Sequence, residues 1–196
     1  MEFINKITLL LRIFLICLLV QSCSSPVRNI SENYALNNNE GVILLSLTAS
    51  GECGYVYFTE LREINTKLTY SIGLQDFGKN RDWVKKNKEC PSKKNNFYGK
   101  LVVIELPAGE YEIYQFEGLS KTVKIYARNE LSVKFPVKAN KINYLGNMHY
   151  HIEKQQLFYK AANQSGRDLI LFQKKYHQFI GEDVIMNLLR TQEIEK

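Results

Sequence analysis

The feature that most constrains the fold is a series of short apolar runs that begins after Glu40. In LSVKFPV, residues 131–137, apolar side chains alternate strictly with other residues. Because successive side chains of a strand point to opposite faces of a sheet, this period of two predicts a half-buried strand. Pro136 has no amide hydrogen to donate, which places this strand at a sheet edge or places the proline at a strand end.

Seven further runs are rich in β-branched and aromatic residues and are bounded by turn residues, as strands are. The GECG cluster after the first run predicts a hairpin with Cys53 at its tip, and Pro107 with Gly109 predicts a turn. The sequence therefore predicts a mainly β fold, a single antiparallel β-sandwich of seven or eight strands over residues 41–162. The seven runs are Gly41–Ser50, Gly54–Leu61, Lys67–Leu74, Phe97–Leu106, Tyr111–Phe116, Ile142–Ile152 and Leu157–Ala162.

The C-terminal segment, residues 163–196, changes to helical spacing. Asp168 favours a helix N-terminus and Gly181 is well placed to end the helix. We expect this helix to pack its apolar stripe on the sandwich, and EDVIMNLLR, residues 182–190, to add a second short helix. The stripe consists of Leu169, Phe172, Tyr176 and Phe179.

The first 22 residues have the pattern of a secretion signal. Lys6 and Arg12 precede an unbroken apolar run of eight residues that ends at Val20, which is too short to span a bilayer. The residues Val20-Gln21-Ser22-Cys23 then resemble the lipobox of bacterial lipoproteins. That resemblance implies cleavage before Cys23 and attachment there of a diacylglycerol and a further acyl chain such as palmitate. It also implies a membrane lipoprotein, with Ser24 favouring the outer membrane and a domain that faces the periplasm.

Polar, asparagine-rich residues 23–40 are expected to form a lipidated flexible tether. With Cys17 removed and Cys23 lipidated, Cys53 and Cys90 remain, and an oxidising envelope predicts a disulfide between them. A nucleophilic Cys53 is the alternative, but it would need a thiolate in a compartment that oxidises accessible thiols.

Two stretches carry a second resemblance, LPAGEYEIYQFEG at residues 106–118 and INYLGNMHY at residues 142–150. Together they resemble a pattern in small bacterial lipoproteins of unknown function, in which a PAG-x-Y turn joins two strands. Those domains look like the carboxypeptidase regulatory-like, transthyretin-type β-sandwich. The resemblance implies a fold and an envelope location over residues 41–162, and it brings no catalytic residues.

The insertion between residues 74 and 97 is basic and carries Trp83, the only tryptophan. Basic residues among aromatic ones favour anionic glycans such as lipopolysaccharide, whereas nucleic acid is not expected as a partner in the envelope. A formal net charge of +6 agrees with an anionic partner. A solvated loop held by Cys90 is the alternative interpretation. The candidate ligand-binding residues are Arg81, Trp83, Lys85, Lys86 and Lys88.

His149 and His151 lie two apart in a predicted strand and therefore share one face. With Asn147 beside them and His177 as a third ligand, they could bind Zn²⁺ or Cu²⁺. The alternative is a plain solvated face, because the residues predicted to share the other face are apolar. Those residues are Tyr144, Met148, Tyr150 and Ile152.

Tyrosines could also form a sugar-binding or peptide-binding face, since each offers a stacking plane and a hydroxyl, although tyrosine is equally a common strand residue. The chain carries none of the G-x-S-x-G, S-x-x-K, H-E-x-x-H or glycine-rich phosphate motifs. The sequence thus predicts no enzyme and no cofactor. It favours a non-catalytic structural or protein-interaction module anchored by lipid in the envelope, with glycan or metal binding as alternatives. The tyrosines in question are Tyr55, Tyr57, Tyr70, Tyr111 and Tyr114.

Overall fold

The structure is a computed structural model of the chain. It describes residues 28–31, 33–36, 38–51, 56–74, 83–85, 97–119, 124–126, 132–153 and 156–190. Neither the candidate signal and lipidation site nor Cys53 and Cys90 lie among these residues.

The described residues form twelve strands, of which eight have five residues or more. Each of the eight overlaps a run that the sequence predicts as a strand. The mainly β class is thereby confirmed, and the described part of the chain has two sheets and one α-helix. The strands are β1 Arg28–Asn29, β2 Glu40–Gly51, β3 Val56–Glu63, β4 Thr69–Leu74, β5 Trp83–Lys85, β6 Phe97–Pro107, β7 Gly109–Leu119, β8 Lys124–Tyr126, β9 Val133–Val137, β10 Ile142–Glu153, β11 Gln156–Ala162 and β12 Val184–Met186.

The strands divide into a larger and a smaller sheet. In the larger sheet the order is β1, β6, β2, β10, β11, with β5 also paired to β6 and β12 also paired to β10. In the smaller sheet the order is β4, β3, β7, β8. The strands β8 and β9 pair with different halves of one edge of β7. Within the described residues β9 pairs with one strand only, as Pro136 requires.

The two sheets pack face to face around an aromatic and aliphatic core. Alternate residues of β2 and β6, such as Leu45 and Ile104, meet residues of the smaller sheet such as Tyr57 and Ile113. The rings of Tyr57 and Tyr150 are stacked, with centroids 5.2 Å apart, and the Tyr150 hydroxyl is hydrogen-bonded to Thr59 in the core. Burial of these side chains supplies the main stabilisation of the sandwich.

A second core lies on the outer face of the larger sheet. The α-helix α1, Ser165–Lys175, and the 3₁₀-helix His177–Phe179 cover this face with stacked aromatic rings. Phe172 lies with its ring centroid 5.4 Å from that of Phe179 and packs over Val42 and Leu44. Because both faces of this half of the sheet are covered, β2 has buried side chains at Val42, Ile43, Leu44 and Leu45 in succession.

The prediction of an antiparallel sandwich is wrong for the larger sheet, which is mixed. β10 runs parallel to β2 through ten register pairs, from Ile142 opposite Val42 to Ile152 opposite Gly51, and β12 is parallel to β10. The alternation of apolar residues specifies which face of a strand is buried, but it carries no information about the direction of the neighbouring strand.

The predicted hairpin around Cys53 is also wrong. β2 belongs to the larger sheet and β3 to the smaller one, so the chain passes between sheets at this point. The turn predicted at Pro107 and Gly109 exists, but it likewise joins strands of different sheets, β6 and β7. Two strands that are adjacent in sequence need not pair when both sheets must contribute to one core.

Two further segments differ from expectation. Val184–Met186 is a strand rather than part of a helix. These residues follow α1 in sequence and pair with β10, so that they add a strand to the larger sheet. Described residues between 28 and 36 pack on the domain: β1 pairs with β6, Ile30 is buried and the Tyr34 hydroxyl donates to Glu105 (2.8 Å). The predicted flexible tether through residue 40 is therefore wrong for this part.

Across the described residues, α1 and the 3₁₀-helix are too short, and carry too little unbroken apolar sequence, to cross a bilayer.

Candidate functional site

A β-bulge in β10 determines which side chains reach the outer face of the larger sheet. The register against β2 shifts between Tyr144 and Gly146, so that Leu145 turns into the core between the sheets. Gly146 adopts a φ of 99°, which an L-residue with a side chain rarely adopts. As a result Tyr144 shares the outer face with Asn147, whereas a strict period of two places them on opposite faces.

Beyond the N-terminus of α1, the outer face of the sheet becomes polar and partly exposed. Ser50 of β2 pairs with His151 of β10, which pairs with Phe158 of β11. In the next row, His149 pairs with Lys160. We call the surface formed by these five residues, Ser50, His149, His151, Phe158 and Lys160, the histidine face.

The Ser50 hydroxyl lies between the two imidazoles. Its Oγ is 2.9 Å from His149 Nε2 and 3.1 Å from His151 Nδ1. On the other side of the His149 ring, Nδ1 is 2.9 Å from the hydroxyl of buried Thr48. Two rings and two hydroxyls therefore form one continuous hydrogen-bonded chain on adjacent parallel strands.

His149 is partly buried, and this changes its protonation. Burial lowers the pKa of His149, and the charges of His151 and Lys160 lower it further. The ring is therefore neutral at neutral pH and has one nitrogen that accepts a proton or binds a cation. Thr48 donates to Asn147 Oδ1 (3.2 Å), which leaves the Thr48 oxygen to accept from His149 Nδ1.

A second polar cluster lies directly under the first turn of α1, and we call it the aspartate cluster. Asp168 is fully buried and accepts from the Tyr144 hydroxyl (2.8 Å) and from Arg167 Nε (2.7 Å). Ser46 Oγ lies 2.7 Å from Asp168 Oδ2 and 2.9 Å from Asn147 Oδ1, so its one proton is available to either acceptor. Burial and the bond to Asp168 raise the pKa of Tyr144.

The aspartate cluster attaches the helix to the sheet. Arg167 Nη2 donates to Ser46 (2.9 Å) and to Asn147 (3.2 Å). Asn147 also accepts from Thr48, so that α1 is connected through Asn147 to the hydrogen-bonded chain of the histidines. A buried carboxylate with a cationic partner and several donors is fully satisfied. The aspartate cluster therefore holds the neighbouring polar side chains of β2 and β10 in place. The histidine face is the part of this polar region that is accessible to solvent.

The sequence predicts only part of this site. It places His149 and His151 on one face, and the structure agrees. It misses Ser46, Thr48 and Ser50, because a serine and threonine alternation in a strand has no chemical signature until the partner strand is known. It assigns Asp168 to the helix N-terminus and gives no sign of its bond to Ser46, which is 122 residues away in sequence.

His177 is not brought to the other histidines. It lies exposed in the 3₁₀-helix, whose Phe179 packs over Val42 at the opposite end of the sheet. Within the described part of the chain, no three side chains of the His, Cys, Asp and Glu types are grouped so that they could hold a metal ion.

The basic insertion contributes a short strand to the larger sheet. The backbone of Trp83 and Lys85 pairs with β6 at Lys100 and Gly99. Arg81, Lys86 and Lys88, like Cys53 and Cys90, lie outside the described residues.

The tyrosines that the structure describes do not form the predicted sugar-binding or peptide-binding face. Tyr57, Tyr70 and Tyr111 are buried in the core between the sheets. Tyr114 is partly exposed on the smaller sheet, where the Arg62 guanidinium lies 5.0 Å from its ring centroid. Tyr55 lies outside the described residues.

No protein-family model matches the chain, and no curated protein matches it. Among solved structures, a leucine-rich repeat protein from Bacteroides thetaiotaomicron VPI-5482 is similar over 63% of this chain, with 15% identity and a TM-score of 0.34. The chain spans 15% of that protein's length.

Proposed function

We propose that this chain is a lipid-anchored envelope protein that acts by binding, without catalysis, and that the histidine face is where it docks on an envelope protein. The observation that carries the proposal is the pairing of an exposed aromatic ring with hydrogen-bonding groups on rigid strands. Phe158 is 39% exposed and lies in the same row as Ser50 and His151.

The chemistry of this surface suits protein recognition. Aromatic anchors surrounded by polar groups provide most of the binding energy in protein interfaces. The row behind Phe158 is held by the aspartate cluster and by α1, so little conformational freedom is lost on binding. Lys160, exposed beside the histidines, gives this surface positive charge and favours an acidic partner surface.

The test is crosslinking in intact cells, followed by purification of the full-length protein and mass spectrometry. We expect a reproducible protein partner whose recovery falls at least tenfold in Phe158→Ala with Lys160→Glu. Leu68→Ala is the matched control, because Leu68 is similarly exposed, at 42%, but lies in the turn before β4 of the smaller sheet. Equal loss in both variants, or unchanged recovery in the first, would contradict the proposal.

The anchor is tested separately. In Cys23→Ser we expect the protein to leave the membrane fraction, because this change removes the residue that is proposed to carry the acyl chains. Membrane association that survives this change would show that something other than lipid holds the protein there.

Binding of an anionic glycan is the second candidate. It is favoured by one observation: β5, in the basic insertion, pairs with β6 at Gly99, and Gly99 pairs with Thr48 beneath the histidine face. The insertion and the histidine face therefore belong to the same end of one sheet. We expect binding of lipopolysaccharide to weaken with salt and with replacement of Trp83, Lys85 and Lys86 by alanine. Binding that is insensitive to both would remove this candidate.

A further inference from the structure

Apart from any protein partner, we propose that His149, His151 and Ser50 form a binding site for a divalent transition-metal ion of the Cu²⁺ and Zn²⁺ class. The sequence suggests the histidine pair, and the structure supplies the convergence. His149 Nε2 and His151 Nδ1 both lie within 3.1 Å of one atom, the Ser50 oxygen.

The main requirement for such a site is a set of donor atoms close enough to share one ion, and both ring nitrogens lie within 3.1 Å of the Ser50 oxygen. Imidazole suits copper, zinc and nickel, and metal to nitrogen distances are about 2.0–2.1 Å. A neutral histidine carries its single proton on either ring nitrogen. Without metal, the single Ser50 proton serves only one of the two rings. When a metal ion binds, the proton of His149 is on Nδ1 and that of His151 is on Nε2, so that both nitrogens near Ser50 present lone pairs. The Ser50 oxygen then supplies a third donor, and water completes the coordination.

The surroundings hold the first ligand in place. Thr48 is fully buried and its hydroxyl lies 2.9 Å from His149 Nδ1, the nitrogen that faces away from Ser50. A hydrogen bond to the non-ligating nitrogen is the usual second contact of a metal-binding histidine, and it fixes ring orientation and tautomer. Thr48 is in turn bonded to Asn147, which α1 holds through Arg167.

The site takes ligands from a single sheet face. Ser50 and His151 are direct partners on parallel strands, and Thr48 is the partner of His149. The site therefore does not need His177, which lies over the far end of the sheet. With three protein donors, we expect micromolar affinity and the order Cu²⁺ above Zn²⁺.

The neighbouring lysine gives the proposal a second, independent consequence. Lys160 is the cross-strand partner of His149, and its positive charge acts on that ring. A cation bound between the histidines is repelled by this ammonium group. Replacing it with a neutral side chain therefore favours binding without removing a ligand.

The test is titration of the purified full-length lipoprotein in detergent with CuCl₂, followed by calorimetry and electron paramagnetic resonance. We expect one Cu²⁺ per chain, nitrogen hyperfine structure from two imidazoles, at least tenfold weaker binding in His151→Ala, and tighter binding in Lys160→Gln. His177→Ala is the control and is expected to bind within twofold of the unmodified protein.

Circular dichroism and the urea midpoint without metal establish that each variant is folded. Binding by the unmodified protein that is undetectable at a CuCl₂ concentration about 100-fold above the expected micromolar Kd would overturn the proposal. So would equal affinity in His151→Ala, or a spectrum with sulfur rather than nitrogen ligation. Because the proposal does not require a protein partner, its failure leaves the docking proposal standing, and the reverse also holds.

Discussion

Single residues decide where the polar groups of this protein lie. Gly146 is the clearest case, because its φ of 99° permits the bulge that places Asn147, His149 and His151 on the outer face beside Tyr144. The sequence predicts the histidine pair but not the bulge, since a glycine in a strand-like run indicates an irregularity without saying how the faces shift.

Replacement of Gly146 by alanine tests this role. A Cβ atom there would lie 2.9 Å from the Ala162 carbonyl oxygen, and the positive φ adds strain. We expect a loss of about 1–3 kcal/mol in the free energy of unfolding, measured by urea denaturation. Gly166→Ala is the control: the added Cβ meets nothing within 4 Å in the first turn of α1 and should be neutral or slightly stabilising. Equal destabilisation of both variants would refute the assignment.

Glu63 illustrates a residue whose charge contributes to stability through a turn. Hydrogen bonds from Thr66, together with the amide of Asn65 (3.1 Å), lower the pKa of the Glu63 carboxyl. A lowered native pKa contributes stability that is complete above the unfolded value of about 4.3 and is lost as the pH falls through the native value.

We therefore expect Glu63→Gln to be less stable than the unmodified protein at pH 7, with the difference shrinking as the pH falls below about 4.3. Urea unfolding at a series of pH values measures it. A difference that stays constant down to pH 3 would show that the carboxylate charge has no part in the turn.

At the scale of elements, the positions of strands follow from sequence but their partners do not. The run LSVKFPV predicts β9, and Pro136 predicts an edge strand or a strand end; among the described residues β9 pairs with β7 alone. The direction of β10 beside β2 could not be predicted, because the register pairs are about 100 residues apart in sequence and a period of two fits either direction. The sequence does not predict the strand β12, because three residues are too few to show a period.

The helix α1 is expected to depend on tertiary packing more than on its own propensity, since it has only eleven residues. Phe172 is 1% exposed and packs in the outer core, whereas Ile170 on the same helix is 67% exposed. We expect Phe172→Ala to lower the free energy of unfolding by about 3–5 kcal/mol. Ile170→Ala is the matched control, with an expected change of less than about 0.5 kcal/mol. Hydrogen exchange of the helix amides, together with urea unfolding, measures both, and similar effects in the two variants would contradict this packing.

For the whole molecule, the two-sheet class could be inferred from the alternation of apolar residues, because that alternation requires two buried faces to meet. The candidate site could not be inferred beyond its histidines. It draws on β2, β10, β11 and α1, and these come together only once β10 lies parallel to β2. Long-range pairing of this kind leaves no local trace in the sequence.

The predicted Cys53 to Cys90 disulfide would join two distant parts of the chain. The strands that flank the two cysteines meet directly, since Ser50 is the register partner of Phe97. We expect Cys53→Ser with Cys90→Ser to lower the free energy of unfolding by about 4 kcal/mol on the chain-entropy model. Mass spectrometry without reduction should also find the unmodified protein two mass units lighter than its reduced form. Free thiols in protein isolated from the envelope would disprove the bond.

The claim that the histidine face binds an envelope protein is tested most directly by site-specific photocrosslinking in living cells. A photoreactive residue at position 158 is compared with one at position 134, where Lys134 is exposed on the outer face of the smaller sheet. We expect one dominant crosslinked protein from position 158 and none from position 134. Crosslinks from position 134 alone, or the same set from both positions, would contradict it.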